Sequence, residues 1–382
     1  MAKKRSIFEE VEGDKAQVAP TPQPGLIDKS GKASRRSVRL WLMLIFVLVS
    51  AMILLGGLTR LTDSGLSITE WKPVTGALPP MNAADWQAEF ARYQQIPEFQ
   101  LQNKAMTLAD FKSIYWWEWS HRQLGRFIGL VWAAGFLFLW LTRRIPAGWS
   151  GRLLGLGVLG GLQGAVGWWM VSSGLSGRMV DVASYRLAIH LGIAFVILGL
   201  SLWYVLLLGR SEAALLQARR ARESRLFSIS TGLMHLAFLQ VLLGALVAGI
   251  DAGRGYIDWP LMNGQIIPDE VFDYSPWWSN FFENPALVQF IHRGVGYLVV
   301  IFALIVWRRS RSSGNTVTRG AFTLVLAMAF LQMLLGIGTV MTAAQAHIAL
   351  THQFGAILLW SLILRARFMA AYPPAQSIKG TS

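Results

Sequence analysis

No cysteine occurs among the 382 residues. That absence removes disulfides, thiolate nucleophiles and every cysteine-ligated metal or cluster from the available chemistry. Charge is scarce as well: Asp, Glu, Lys and Arg make up 15% of the chain, against about 25% in an average soluble domain. Acidic residues are the rarer sign, 21 against 35 basic ones, which leaves a formal net charge of +14. Only six histidines are present, so nitrogen ligands for a metal are few. What the chain has in quantity is apolar and aromatic, with 53% hydrophobic residues and 17 tryptophans. That balance is the profile of a membrane protein that crosses the bilayer several times.

Eight apolar segments carry this character, at 40–58, 117–141, 153–172, 187–208, 226–250, 288–307, 320–342 and 348–364. Each approaches the roughly 20 residues needed to span a bilayer as a helix. Residues 1–39 form a polar tail with Pro20, Pro22 and Pro24, expected to be disordered. Its Glu9, Glu10, Glu12 and Asp14 argue against a mitochondrial transit peptide. Basic residues gather in that tail, in the loops after the second, fourth and sixth segments, and in the C-terminal tail 365–382. The outer loops 59–116 and 251–287 hold few for their length. By the positive-inside rule both termini are cytoplasmic. The excess positive charge is then a topology signal, and no nucleic-acid partner is expected.

The two halves repeat. GGLTRLTDSGLSITEWKPVTGALPP, from Gly56, aligns with GALVAGIDAGRGYIDWPLMNGQIIP, from Gly244. Asp63 then matches Asp251, and Trp71 matches Trp259. His121-Arg122 matches His292-Arg293, Leu162-Gln163 and Gly167 match Leu331-Gln332 and Gly336, and His190 matches His352. Each half has an even number of helices, so the repeats share one orientation. The expected fold is an all-α polytopic membrane protein: eight transmembrane helices in two same-orientation four-helix bundles, 40–208 and 226–364.

His121, His190, His292 and His352 each stand near the outer end of an even-numbered segment, two in each half. Paired imidazoles on facing helices of a bundle are a common way to hold a haem iron. Interfacial histidines bonded to loops are the alternative for any one of them alone. Matched placement of four favours axial ligation. His235 has no repeat partner and reads as a buried polar contact; His347 reads as an exposed turn residue. Arg122 and Arg293 are candidate propionate contacts, or else they reach phospholipid head groups. Glu118 precedes His121 by three residues and shares its helix face. Its counterpart is Gln289. A cofactor site needs ligands, whereas a reacting site also needs a group that moves protons or stabilises charge. The asymmetry places chemistry in the N-terminal half and a permanent haem in the other. Simple pairing of Glu118 with Arg122 or Arg126 is the competing account, and Gln289→Glu should be nearly silent.

With GGLTRLTDSGLSITEW after the first segment, Glu118-x-x-His121-Arg122, His190, His292-Arg293 and His352-Gln353, the chain resembles the haem A synthase family over about residues 40–365. The resemblance implies oxidation of a ring methyl of haem O to a formyl by successive hydroxylation through an alcohol, supplying haem A to haem-copper oxidases. It implies haem b, and so iron, on His292 and His352. It implies substrate haem O between His121 and His190, with Glu118 beside the methyl. Some members carry a cysteine pair in an outer loop; its absence here excludes thiol-dependent electron entry. The long first loop is similar to the proteobacterial and mitochondrial branch, and the tail favours a bacterial cytoplasmic (inner) membrane. Implied partners are a haem O synthase, a membrane electron acceptor and the lipid bilayer; a homo-oligomer is compatible with the sequence. A haem-b electron carrier linked to quinone is the alternative function, which Glu118 opposite Gln289 speaks against.

Overall fold

The structure, a computed structural model, describes residues 26–177 and 179–376. Among them no strand occurs, and eight helices are long and apolar enough to cross a membrane. They are α1 (Leu26–Leu61), α2 (Leu108–Leu141), α3 (Ser150–Val171), α4 (Ser184–Leu208), α5 (Ser224–Gly249), α6 (Pro285–Ser310), α7 (Thr316–Met341) and α8 (Ala346–Ala371). Five of the eight expected segments fall inside them, and the other three, 153–172, 226–250 and 320–342, run one residue past the helix end. The first helix begins at Leu26, so residues 26–39, expected to be part of a disordered tail, are helical; the rest of that tail lies outside the described residues. Helix α8 likewise runs past 364 to Ala371. Hydropathy marks where a helix enters hydrocarbon, whereas its end is set by caps. Helix α2 starts nine residues before its apolar run because Thr107 and Asp110 close a capping box.

Helix packing follows the repeat. α1, α2, α3 and α4 form one ring, each touching the next and α4 closing on α1. α5, α6, α7 and α8 form a second ring in the same order. In each ring the even-numbered helices are therefore diagonal to one another. The rings meet where α4 packs on α5 and α8, and where α1 packs on α8. Gln353 of α8 crosses this seam, donating from Nε2 to the Ile53 carbonyl of α1 at 2.9 Å. Gly57 makes the approach possible, since a side chain there would collide with the Gln353 amide.

The long loop between α1 and α2 folds over its own ring. Short helices Ala83–Tyr93 and Pro97–Leu101 bury Phe90, Tyr93 and Phe99 against Phe111 and Tyr115 of α2 and Leu66. This aromatic cluster shields that end of the bundle from water.

Candidate functional site

Each of the four histidines rests on a glycine of the preceding odd-numbered helix. A β-carbon added at Gly56 would lie 3.2 Å from His121 Nε2, and one at Gly167 would lie 2.9 Å from His190 Cε1. In the other ring the corresponding distances are 3.1 Å from Gly244 to His292 and 3.1 Å from Gly336 to His352. Glycine, with no β-carbon, lets an imidazole lie this close to a helix backbone. His121 and His190 are electrostatic neighbours, as are His292 and His352. The sequence-expected quartet is thus brought together as two diagonal pairs.

The donor set fits a haem iron. Nδ1 of His190, His292 and His352 is buried without any hydrogen-bond partner. A buried polar nitrogen left alone is costly unless something else satisfies it. Among the described residues no cluster of three or more His, Cys, Asp or Glu could cage a bare metal ion. An iron that brings four equatorial nitrogens of its own needs only an axial pair.

Amides steady these rings. Gln163 donates to the His190 carbonyl at 3.0 Å, Gln240 to that of His292 at 3.0 Å, and Gln332 to that of His352 at 2.8 Å. Each lies one turn before its seat glycine, in a Gln-x-x-x-Gly pattern. The matched Leu-Gln pairs of the repeat are the sequence signal for two of the three, but spacing along the chain does not say what they bond.

Glu118 is 3% exposed and fully engaged. Its Oε2 accepts from Ser67 Oγ at 2.8 Å and from the Ile68 amide at 2.7 Å. Its Oε1 accepts from Arg122 Nε at 3.0 Å and Nη2 at 2.7 Å. Four donors occupy the roughly four lone-pair sites of a carboxylate. Arg122 also donates to the carbonyls of Glu70 and Ile68, and Arg126 to those of Lys72 and Pro73. Arg293 donates to Asp258, Leu261 and Tyr256 carbonyls and to Gln289 Oε1, with Nε buried and unpartnered. Both arginines thus pin the loop over their histidine. Gln289 differs in polarity from Glu118: its Nε2 donates to the carbonyls of Ala252 and Tyr256.

The interiors of the rings also differ. Gly157, Gly160, Gly164 and Gly167 form one stripe along α3, three or four residues apart. Trp132 of α2 fills the space at Gly157, and His190 that at Gly167. Between them, a β-carbon at Gly160 or Gly164 would meet nothing within 4 Å. The matching stripe of α7 is Leu326, Ala329, Met333 and Gly336. Accordingly α2 and α3 touch sparingly, whereas α6 and α7 pack closely.

A second polar group joins the rings at the rim from which the long loops emerge. Arg60 of α1 pairs with Asp63 at 2.7 Å and with Asp251 of the other half at 2.7 Å, with Asp181 at 3.6 Å. Asp63 and Asp251 hold these positions with left-handed backbones, φ 48° and 52°. The repeat does not signal this cluster, because Arg60 has Ala248 as its repeat match. Beside them Glu98, 4% exposed, lines a cavity of about 30 Å³ with its Oε2 unpartnered. Burial, then Asp181, Asp63 and Glu118, push Glu98 up to about 8, against a lowering by Arg60. The folded protein therefore keeps a proton that the unfolded chain loses near 4.5, and stability falls as pH rises from about 4.5 to 8. At pH 7 the cost is on the order of 3 kcal/mol. Glu98→Gln is expected to melt higher than the parent at pH 8 and equally near pH 4.5. A melting difference that stays constant across that range would show that Glu98 does not titrate there.

His235, expected as a buried contact, instead faces outward with Nδ1 2.9 Å from the Thr231 carbonyl. His347 is exposed in the first turn of α8. Trp71 stacks on Trp168 at 5.8 Å, joining the loop to α3 beside Gly167.

Fold and site define a polytopic membrane protein built from two histidine-paired four-helix rings. The COX15-CtaA family, described as cytochrome oxidase assembly protein, matches residues 39–364. The chain is 63% identical over 378 residues to the haem A synthase of Paracoccus denitrificans (strain Pd 1222), covering 99% of both chains. It is 62% identical over 382 residues to that of Ruegeria pomeroyi (strain ATCC 700808 / DSM 15171 / DSS-3), covering 100% of both. It is 59% identical over 391 residues to that of Cereibacter sphaeroides (strain ATCC 17029 / ATH 2.4.9), covering 99% of both. The chain belongs to the haem A synthase family of cytochrome oxidase assembly proteins.

Proposed function

We propose that this protein is a haem A synthase, a membrane oxidoreductase that converts a ring methyl of haem O to a formyl through an alcohol. The observation that carries this reading is the fourfold histidine-on-glycine seat, arranged as one diagonal pair in each ring. The ring α5–α8, with its filled α7 stripe, holds a resident haem b on His292 and His352. When bound, that haem supplies one-electron chemistry. The ring α1–α4, with open space along α3, takes haem O between His121 and His190.

Glu118 acts there as a fixed anion. With Arg122, Ser67 and the Ile68 amide occupying its oxygens, the carboxylate is held in place before substrate arrives. Positive charge that develops at the reacting methyl is stabilised by such a preorganised anion. Ser67 Oγ is the donor that can turn away and free a lone pair to take a proton. Arg122 and Arg293 act mainly by holding the outer loops over the haem edge. The free Nε of Arg293 remains available for a propionate. A symmetric electron carrier would have no use for this difference between the rings.

The protein sits in the bacterial inner membrane with both termini cytoplasmic, receives haem O in the plane of the bilayer from a haem O synthase, and passes electrons to a membrane acceptor. Co-expression with a haem O synthase in cells that make no haem A is the test. Extraction and chromatography should show new haem A. Haem O and haem b without haem A would overturn the proposal.

A further inference from the structure

Three of the four histidine helices are tied to the helix beneath them by a glutamine amide, and one is not. Gln163, Gln240 and Gln332 each donate to the backbone carbonyl of their histidine. In the repeat, the residue one turn before Gly56 is Met52. Its packing place is the same. Gln240 Nε2 lies 3.1 Å from a β-carbon built at Gly296, four residues after His292; Met52 Cε lies 3.4 Å from one built at Gly125, four residues after His121. The shape of the anchor is kept while its donor is removed. A thioether cannot donate a hydrogen bond, and methionine is the most compliant of the apolar side chains. The rings of His190 and His292 also lie against their glutamine amides, at 3.3 and 3.4 Å, whereas the His121 ring has no such neighbour on α1, and α2 is also the helix that packs sparingly on α3.

We infer that His121 is the exchangeable ligand of the substrate haem. His190, anchored by Gln163, is the fixed ligand; α1 holds α2 lower down, through Trp41 Nε1 on the Val131 carbonyl at 3.0 Å, so the His121 end of α2, with the loop that Glu118 and Arg122 grip, moves away from α1 and back without breaking a polar tie at Met52. A resident haem is best held from both sides, and both of its histidines are anchored. A substrate must enter and its product must leave, which requires one side to yield. This inference rests on the reading that α1–α4 binds haem O.

The test is haem transfer from the purified full-length protein, loaded with both pigments, to excess apomyoglobin. Haem O and haem b are then separated by chromatography. Haem O should leave the parent faster than haem b. Met52→Gln should slow haem O transfer about fivefold, the worth of one neutral hydrogen bond, and leave haem b unchanged. Met52→Leu, which adds no donor, should match the parent, and Gln240→Met should hasten loss of haem b. Equal haem O rates for Met52→Gln and Met52→Leu would overturn the inference, as would loss of pigment from Met52→Gln at purification. If Met52→Gln slowed haem b instead, the anchor would stand but the assignment of the substrate to α1–α4 would fall, and with it the role given to His121.

Discussion

His292→Ala and His352→Ala proteins are expected to purify without the low-spin spectrum of the resident haem. Two axial imidazoles set the low-spin state, and each ring is held by its own glycine seat, 3.1 Å from Gly244 or Gly336. Alanine removes the ligand, and the Gln240 amide nitrogen, 3.4 Å from His292 Nε2, is a hydrogen-bond donor that cannot replace it. Gly336→Val is expected to act in the same direction, because its β-carbon would start in contact with His352 Cε1. His121→Ala and His190→Ala should keep the resident spectrum and make little haem A. The measurement is the reduced-minus-oxidised spectrum of each purified variant beside its extracted pigments. An unchanged low-spin spectrum in both His292→Ala and His352→Ala would sink the assignment. Loss of haem b from His121→Ala with retention in His292→Ala would mean that the halves are exchanged.

Glu118→Gln is expected to keep haem b and haem O while haem A output falls by two orders of magnitude or more. The amide retains nearly the size of the carboxylate and discards its charge. It also places donors where donors already point, so the Ile68 amide or Arg122 loses a partner. A buried group left unsatisfied costs about 1–3 kcal/mol, which loosens the loop locally without unfolding an eight-helix protein. The reciprocal change, expected from sequence to have little effect on haem A output, is expected to lower stability: Gln289→Glu sets carboxylate oxygens against the carbonyls of Ala252 and Tyr256, both of which lose a donor. That variant should melt lower while retaining haem b. Pigment chromatography and thermal melts of both variants separate the effects. Normal haem A from Glu118→Gln would leave Glu118 as a loop clamp and place the difference between the rings in the α3 stripe alone.

Much of this was open to reading in one dimension. Lipid forces helices to satisfy their own backbone, so hydropathy located all eight spans. The repeat then made four scattered histidines into two equivalent pairs. What misled was local. Hydropathy stops where lipid stops, so the helical residues 26–39 and 365–371 were assigned to tails. A polar residue in an apolar run is expected to be buried, yet the His235 ring bonds its own helix and faces outward.

By itself the sequence determined the spans, the repeat, the histidine quartet and the Glu118/Gln289 difference, since each is a matter of composition or spacing along one chain. Only the tertiary structure decided what those residues meet. A glycine conserves no trace of the ring that lies on it, so the four seats stayed hidden until helices were paired. Arg60 has no repeat partner, yet it gathers Asp63 and Asp251 from both halves because α1 and α5 end at the same rim. The loop polarity that distinguishes Glu118 from Gln289 is a property of which backbone groups face inward: an amide at Ile68, carbonyls at Ala252 and Tyr256. Backbone direction is fixed by packing, and every residue type carries the same amide and carbonyl, so no reading of side chains alone could tell which of them would face Glu118.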